Sequence, residues 1–259
     1  MELGLDGKVV IITGGSKGIG LEAAIQFANE GAYPVLIARD KGSLAVAKDK
    51  ILNETGVEAM TFSADVKDSN SYKDIFKDIM DTHGRIDSLI NNAGTAAAHS
   101  FEDVDAKSWK DDLDLKLVGA IEFSKLALPF IKKQGGSIVN VTAVMAKTPP
   151  ANSLPSTVSR AAGLALTKAM SKDLGAFNVR VNAVCIGLIR SDQIEKKWQE
   201  THSHLSWEEY SQVVGEAIPL RRIGETSEAA KMIVFLSSEA ASYVSGTAIN
   251  IDGGFGHTL

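Results

Sequence analysis

The chain has 259 residues, 44% hydrophobic and 23% charged, which is enough for one large core. A formal net charge of −5 without a local Lys/Arg cluster excludes the basic surface that nucleic-acid binding needs. The lone cysteine, Cys185, excludes an internal disulfide, and the absence of a signal-peptide pattern and of any apolar run near the ~20 residues of a membrane span leads to the expectation of a cytoplasmic protein.

In chain order, apolar β-branched runs alternate with helical patterns. The first strand is expected at Val9–Thr13, followed by the glycine-rich turn TGGSKGIG and a helix over Ile19–Asn29. Strands at Pro34–Ala38 and Ala59–Ser63 bracket a helix at Leu44–Glu54, and a helix at Ser71–His83 leads to a strand at Ser88–Asn91. A long helix over Ala106–Lys132 precedes a strand at Ser137–Thr142, and a helix over Thr157–Leu174 precedes one at Arg180–Val184. A helix at Ser227–Leu236 and a strand at Thr247–Ile251 close the chain. Most of these strands are apolar throughout, the mark of parallel strands covered on both faces, so the pattern predicts one α/β domain over residues 1–259. Its sheet would be doubly wound and parallel, of about seven strands, with helices on both faces. Gly31, Gly56 and Gly84 sit where left-handed caps belong, and Thr226 or Ser227 is expected to cap the last helix. Residues 189–219 fit none of these elements. Trp198, His202, His204, Trp207 and Tyr210 suggest two short helices inserted as a lid over a ligand crevice. His202 and His204 do not share a helix face and are read as solvated, with no metal site.

The turn Thr13–Gly20 lies between a strand and a helix start. Gly14, Gly18 and Gly20 let the backbone approach a pyrophosphate, and the N-terminus of the following helix offers unpaired N–H groups and a positive dipole end, with Ser16 and Ile19 in the same turn. At the end of the second strand, Arg39 and Lys17 place two cations where the 2′-phosphate of a dinucleotide lies. Asp40, one position later, is the competing partner for a free ribose 2′-hydroxyl. The balance favours NADP(H) over NAD(H).

TGGSKGIG, Asp65-Val66, NNAG at Asn91–Gly94, GSIVNV at Gly136–Val141, RVNAV at Arg180–Val184 and IDGG at Ile251–Gly254 cover almost the whole chain. Together they closely resemble the short-chain dehydrogenase/reductase family. The resemblance implies an oxidoreductase acting on a small carbonyl or alcohol and a homodimer or homotetramer with the Ala106–Lys132 and Thr157–Leu174 helices at one interface. It also implies that Asp65 and Val66 flank the adenine, that Asn91 holds the adenosine side, and that Ala93 and Gly94 border the cofactor. Gly187, Ile189 and Ser191 would face the nicotinamide amide, although the family's Pro-Gly reads Ile186-Gly187 here.

The family's proton-transfer residues are all replaced. Ser156 stands at the tyrosine, Arg160 at the lysine that holds the ribose, Ala143 at the serine and Lys116 at the asparagine; Thr142 is the only hydroxyl close to Ala143. A serine hydroxyl is shorter and far less acidic than a tyrosine's, and an arginine does not release a proton. General acid–base help is worth roughly 10²–10⁴-fold, so ordinary Tyr-Lys catalysis is expected to be absent. If Lys116 and Arg160 share the crevice, the lysine becomes a candidate acid or base; the competing expectation turns Lys116 to Asp112, Asp114 or solvent. Two functions remain open at this point. One is an enzyme with altered chemistry, and the other is a non-catalytic NADP(H) sensor or partner subunit.

Overall fold

The computed structural model describes residues 2–68 and 72–258. Seven strands form one parallel sheet, in the order β3-β2-β1-β4-β6-β8-β9. They are β1 (Val9–Thr13), β2 (Tyr33–Ala38), β3 (Met60–Ser63), β4 (Ser88–Asn91), β6 (Gly136–Ala143), β8 (Val179–Ile186) and β9 (Ala248–Ile251). The additional pair β5 (Ala98–His99) and β7 (Leu154–Pro155) is antiparallel and two residues long, below what a periodic pattern can reveal. Successive residues of a strand face opposite sides, so Val10 and Ile12 of β1 pack into one core and Val9 and Ile11 into the other. The first core is completed by α1 (Gly18–Asn29), α2 (Lys41–Thr55) and α9 (Thr226–Ser237), through Phe27, Ile51 and Ile233. The second is completed by α3 (Tyr72–His83), α5 (Gly119–Ile131) and α6 (Ser156–Leu174), through Ile79, Phe123 and Leu174. The start expected for α3 at Ser71 lies outside the described residues.

Two boundaries differ from expectation. The helix expected over Ala106–Lys132 is α4 (Ala106–Leu113), a π-helical turn at Asp114–Val118, and then α5. Such turns contain one residue more than an α-turn and cluster at functional sites. Gly119 packs here against the carbonyl of Val66, where a Cβ would stand 2.8 Å from the oxygen. The last helix is capped by Glu225 rather than Thr226 or Ser227, because Glu228 reaches back to accept the Glu225 N–H at 2.8 Å. The expected left-handed glycines Gly31, Gly56 and Gly84 have φ of 79°, 74° and 70°.

The inserted segment holds α7 (Asp192–Thr201) and α8 (Trp207–Val214). Trp207, Tyr210 and Ile223, with Trp198 packed on them, form a small core of their own. The aromatic side chains thus hold the two helices together and leave the crevice to Ile189, Ser191, Asp192 and Ile194. Tyr210 is 1% exposed and is not a crevice residue. Among the described residues no helix is long and apolar enough to cross a membrane, and no group of three or more His, Cys, Asp or Glu is placed to hold a metal.

Candidate active site

From β1 the chain runs outward to β2 and β3, and from β4 it runs the other way. The C-terminal ends of β1 and β4 therefore flank the switch point, where open α/β sheets bind ligands. A crevice of about 760 Å³ lies there, within the range of ligand sites. Gly14, Ser16, Lys17, Gly18 and Ile19 form one end of its wall, and Arg39, Asp40, Asp65 and Val66 border it beside them. Ala93 and Gly94 continue the floor, and Gly187, Ile189 and Ser191 lie opposite.

The glycine turn is shaped for close approach. Gly18 has φ of 54° with open space where a Cβ would project. Lys17, at the N-cap of α1, makes no side-chain cap bond, so the first-turn N–H groups face the crevice without that acceptor. Gly20 does not line the crevice. It packs behind the turn, where a Cβ would collide with the Gly14 carbonyl oxygen and stand 2.6 Å from Asn92 Nδ2. Asn92 was not singled out by sequence, yet its amide donates to the carbonyls of Thr13 and Gly14 at 3.1 Å each and fixes the turn. These features form a cradle that fits a pyrophosphate.

At the end of β2, Arg39 is exposed and makes no ion pair among the described residues, whereas Lys17 faces Asp192 of α7 at 3.7 Å. Asp40 caps α2 by accepting the Ser43 N–H at 2.7 Å. The Ser43 hydroxyl is the main cause holding the Asp40 carboxyl below the usual range, followed by the Ser43 N–H, with Lys17 adding a smaller pull.

Thr13 and Asn91 sit behind the crevice. Thr13 Oγ1 accepts the N–H groups of Asn92 and Ala93, tying β1 to the end of β4. The Asn91 amide donates to Asn140 at 2.8 Å and to Ser124 at 3.2 Å, and Asn140 in turn donates to Thr167 of α6. Asn91 Oδ1 is buried without a hydrogen-bond partner among the described residues and borders a chamber of about 20 Å³, large enough for one water.

The chemistry-bearing residues of α4, the π-turn and α6 come together beside this chamber. Lys116, from the π-turn, donates to the carboxylate of Asp112, one turn earlier, and to the hydroxyl of Ser156 at the start of α6. Ser159 donates its hydroxyl to the other Asp112 oxygen at 2.5 Å. Ser156 lines the crevice, and its own O–H has no acceptor among the described residues. Lys116 stands behind it with its side chain 5% exposed. Of the two sequence alternatives for Lys116, the structure takes the turn to Asp112; Lys116 does not itself line the crevice and reaches it only through the Ser156 hydroxyl. Burial is the largest influence on the Lys116 amine and lowers its pKa, the Asp112 hydrogen bond opposes this, and the nearby Arg160 charge lowers it further.

Arg160 borders both crevice and chamber, and its one protein hydrogen bond among the described residues is a long 3.5 Å contact to the Val141 carbonyl. Burial lowers its pKa, with Asp112 the first opposing influence. A Cβ built on Gly94 would lie 3.7 Å from both Arg160 Nη2 and Lys116 Cγ, so the two cationic chains flank the same point of the floor. Ala143 lines the crevice with no polar atom on its side chain. Thr142 also borders it, but its hydroxyl is directed to the Val184 carbonyl at 3.2 Å and to Cys185 Sγ at 3.3 Å.

The family model described as Enoyl-(Acyl carrier protein) reductase matches residues 14–256. The chain belongs to the short-chain dehydrogenase/reductase family. It is 34% identical over 255 residues to an uncharacterized oxidoreductase of Thermotoga maritima, covering 97% of this chain and 98% of that one. It is 32% identical to the 3-oxoacyl-acyl-carrier-protein reductase FabG of the same organism, over 96% of this chain and 98% of the relative. Among solved structures, L-sorbose reductase of Gluconobacter frateurii in complex with NADPH and L-sorbose matches with a TM-score of 0.93 and 31% identity, covering all of both chains. A short chain oxidoreductase of Pseudomonas aeruginosa, described as containing an atypical catalytic center, matches with a TM-score of 0.95 and 28% identity, over 99% of this chain and 100% of that one. Its NADPH-bound form matches with a TM-score of 0.92, over 97% of this chain and 98% of that one.

Proposed function

We propose that this family member is an NADP(H)-dependent oxidoreductase that interconverts a small carbonyl compound and its alcohol, with Lys116 and Ser156 replacing the usual tyrosine in proton transfer. The observation that carries this reading is the Lys116–Ser156 hydrogen bond, with Ser156 on the crevice wall and Asp112 behind the lysine. A nicotinamide cofactor held in the crevice would supply the hydride for reduction or accept it in oxidation. In the reducing direction the Ser156 O–H donates to the developing alkoxide, and Ser156 Oγ takes a proton from the Lys116 ammonium in the same motion. The products on the protein side are a neutral lysine and an unchanged serine, and solvent restores the lysine proton. In the oxidising direction the neutral amine withdraws the alcohol proton through Ser156. The serine's weak acidity is met because the charge is supplied by the ammonium behind it. Asp112 holds the ammonium in place, with Ser159 fixing the carboxylate.

The cofactor would be held by the turn from Gly14 to Ile19, by Asp65 and Val66 at the adenine, and by Ala93 and Gly94 along the floor. Arg160 would donate to the ribose in place of the family's lysine, and Gly187, Ile189 and Ser191 would meet the amide. Thr13, Gly20 and Asn91 act from behind by shaping this wall. NADP(H) is favoured because Arg39 and Lys17 border the crevice while Asp40 is engaged as a helix cap. The NADPH complexes of the two structural neighbours support the same choice. The neighbour with an atypical catalytic center supports reading the replaced residues as compatible with NADPH binding. We further propose that residues 189–219 form a substrate lid and that the chain forms homodimers or homotetramers. The exposed Val118 and Val158, on the two helical segments concerned, support the assembly, which light scattering would check.

The test is a broad carbonyl and alcohol screen with wild type, Ser156→Ala and Lys116→Met, beside a fluorescence titration of NADPH. Turnover by wild type that falls roughly 10²–10⁴-fold in both variants, with NADPH binding retained, is the expected result. Binding of NADPH without turnover of any substrate by wild type would favour the non-catalytic sensor. Equal turnover by all three would remove the proton-transfer assignment.

A further inference from the structure

Three of the hydroxyls that border the crevice are spent on neighbouring backbone. Ser153 donates to the Pro150 carbonyl at 2.6 Å, Thr157 to the Ser153 carbonyl at 3.2 Å, and Thr142 to the Val184 carbonyl at 3.2 Å. Ser156 differs. Among the described residues it is the one hydroxyl in hydrogen-bond contact with a lysine amine, that of Lys116, and its own O–H has no acceptor there. Asp112 takes another N–H of the same amine, and Ser159 donates to the second Asp112 oxygen at 2.5 Å, so the lysine is held from the rear. Arg160 follows Ser156 by four residues in α6, which puts both on one face of the helix, and both border the crevice. The Arg160 guanidinium makes one long protein bond among the described residues, 3.5 Å to the Val141 carbonyl. The floor beside it carries no side chain at Gly94, where an added Cβ would stand 3.7 Å from both Arg160 Nη2 and Lys116 Cγ.

A hydroxyl touching a buried amine, an acid that orients the amine, and a cation on the same face as the hydroxyl are the parts of a serine nucleophile with a lysine base. We infer that Ser156 is a nucleophile toward small carboxylic esters, with Lys116 as its base and Arg160 as the cation that meets the oxyanion. This activity uses the same pair as the oxidoreductase reading but needs no cofactor. Burial first, and then the Arg160 charge, lower the Lys116 pKa against the Asp112 hydrogen bond, which enlarges the neutral fraction that a base requires. With the amine neutral the Ser156 contact reverses, and the O–H donates to Nζ. As Oγ bonds to the ester carbonyl carbon, its proton passes to Lys116 and the carbonyl π pair moves onto the oxygen beside Arg160. That pair then re-forms the carbonyl, the bond to the alcohol oxygen breaks, and the Lys116 ammonium protonates the leaving alkoxide. An acyl ester on Ser156 and a neutral lysine remain. Water repeats the sequence: it gives a proton to Lys116 and attacks the acyl carbon, and Ser156 Oγ leaves with the proton returned by the ammonium. The sum is ester plus water giving acid plus alcohol, with the protein unchanged.

The experiment treats the full chain, without cofactor, with a fluorophosphonate and separately with p-nitrophenyl acetate. Peptide mass spectrometry locates the modified residue, and nitrophenolate release is followed in time. Wild type is compared with Ser156→Ala and Lys116→Met, with circular dichroism as the check on folding. The expected result is phosphonylation at Ser156 and nitrophenolate release that falls roughly 10²-fold or more in both variants. An initial burst equal to the protein concentration also supports the nucleophile, because it counts an accumulating acyl-serine. Ser156→Ala removes only a hydroxyl and keeps the Lys116–Asp112 pair, so it tests the assignment even where Lys116→Met does not fold. Modification confined to other residues, equal release by wild type and Ser156→Ala, or a folded wild type that reacts with neither probe overturns the inference. A folded Lys116→Met variant that reacts as fast as wild type overturns the base. Neither readout involves NADPH. Ester cleavage without carbonyl reduction would overturn the oxidoreductase reading alone, and carbonyl reduction without ester cleavage would overturn this inference alone.

Discussion

Lys116 donates to the hydroxyl of Ser156, 40 residues further along the chain, and so joins the π-turn to the first residue of α6. Nothing in local sequence couples the two residues. The fold brings them together, because α4, the π-turn and α5 precede β6, α6 follows it, and the π-turn packs against α6 on the same side of the sheet.

The first prediction is a pH profile. Burial and Arg160 lower the Lys116 pKa from its ordinary 10.5, and the Asp112 contact only partly restores it. Reduction needs the ammonium, so its rate is highest below the Lys116 pKa and falls as pH rises through it, with the falling limb below 10.5. Oxidation needs the amine and rises over the same interval. Asp112→Asn removes an influence that raises the pKa, so both limbs should move to lower pH. Steady-state rates in both directions, with a direct NMR titration of the Lys116 amine, check this; a titration unmoved by Asp112→Asn would contradict it.

Gly20→Ala tests the turn. The added methyl would meet the Gly14 carbonyl and the Asn92 amide, both held by hydrogen bonds. Overpacking of this kind costs about 1–3 kcal/mol. The variant should melt at a lower temperature and bind NADPH more weakly, as read by thermal unfolding and fluorescence titration.

Arg39→Ala addresses the cofactor's phosphate. A hydrogen bond to a charged group contributes about 1.5–3 kcal/mol, so NADPH affinity should fall roughly 10–150-fold while NADH affinity changes little. Parallel titrations with the two reduced cofactors measure the difference. An equal loss for both would assign Arg39 to some other contact.

Glu228 provides a stability test away from the crevice. The Arg222 guanidinium, bonded at 2.6 and 2.7 Å, is the main cause pulling its carboxyl to about 2, burial opposes this, and the Glu225 N–H adds to the pull. A depressed folded-state pKa stabilises above the unfolded value of 4.5, and that contribution is lost as pH falls from 4.5 to about 2. With both side chains partly exposed, screening keeps it at or below about 1 kcal/mol. Glu228→Gln should be less stable than wild type above this window and converge with it below, in urea unfolding at several pH values.

The sheet and its flanking helices were legible because their signals are local. Val9–Thr13 and Ser88–Asn91 are strands with the expected boundaries, and the buried apolar positions Ala23, Ala24, Phe27 and Ala28 of α1 recur at helical spacing. The wall from Gly14 to Ile19 was legible because glycine spacing constrains backbone and site together. The π-turn was not, since Asp114–Val118 has the composition of an ordinary helix and carries no local signal of its extra residue. The role open to Ser156 was hidden for a related reason. Judged alone its hydroxyl is too weak an acid, and only the fold supplies the ammonium behind it. The aromatics of the inserted segment marked its two short helices, and Trp207 and Tyr210 are spent on the small core that holds those helices together.

The five-residue turn at Asp114–Val118 also acts as a phase marker in the helical stretch that contains it. Each residue advances an α-helix by about 100°. Deleting one residue there would regularise the helix at little local cost while rotating Lys116 away from either Asp112 or Ser156. A chain so altered would still fold around the same sheet, yet its ammonium and its hydroxyl would no longer meet. The geometry that joins them therefore depends on a counting irregularity in the backbone, as well as on the identities of the side chains.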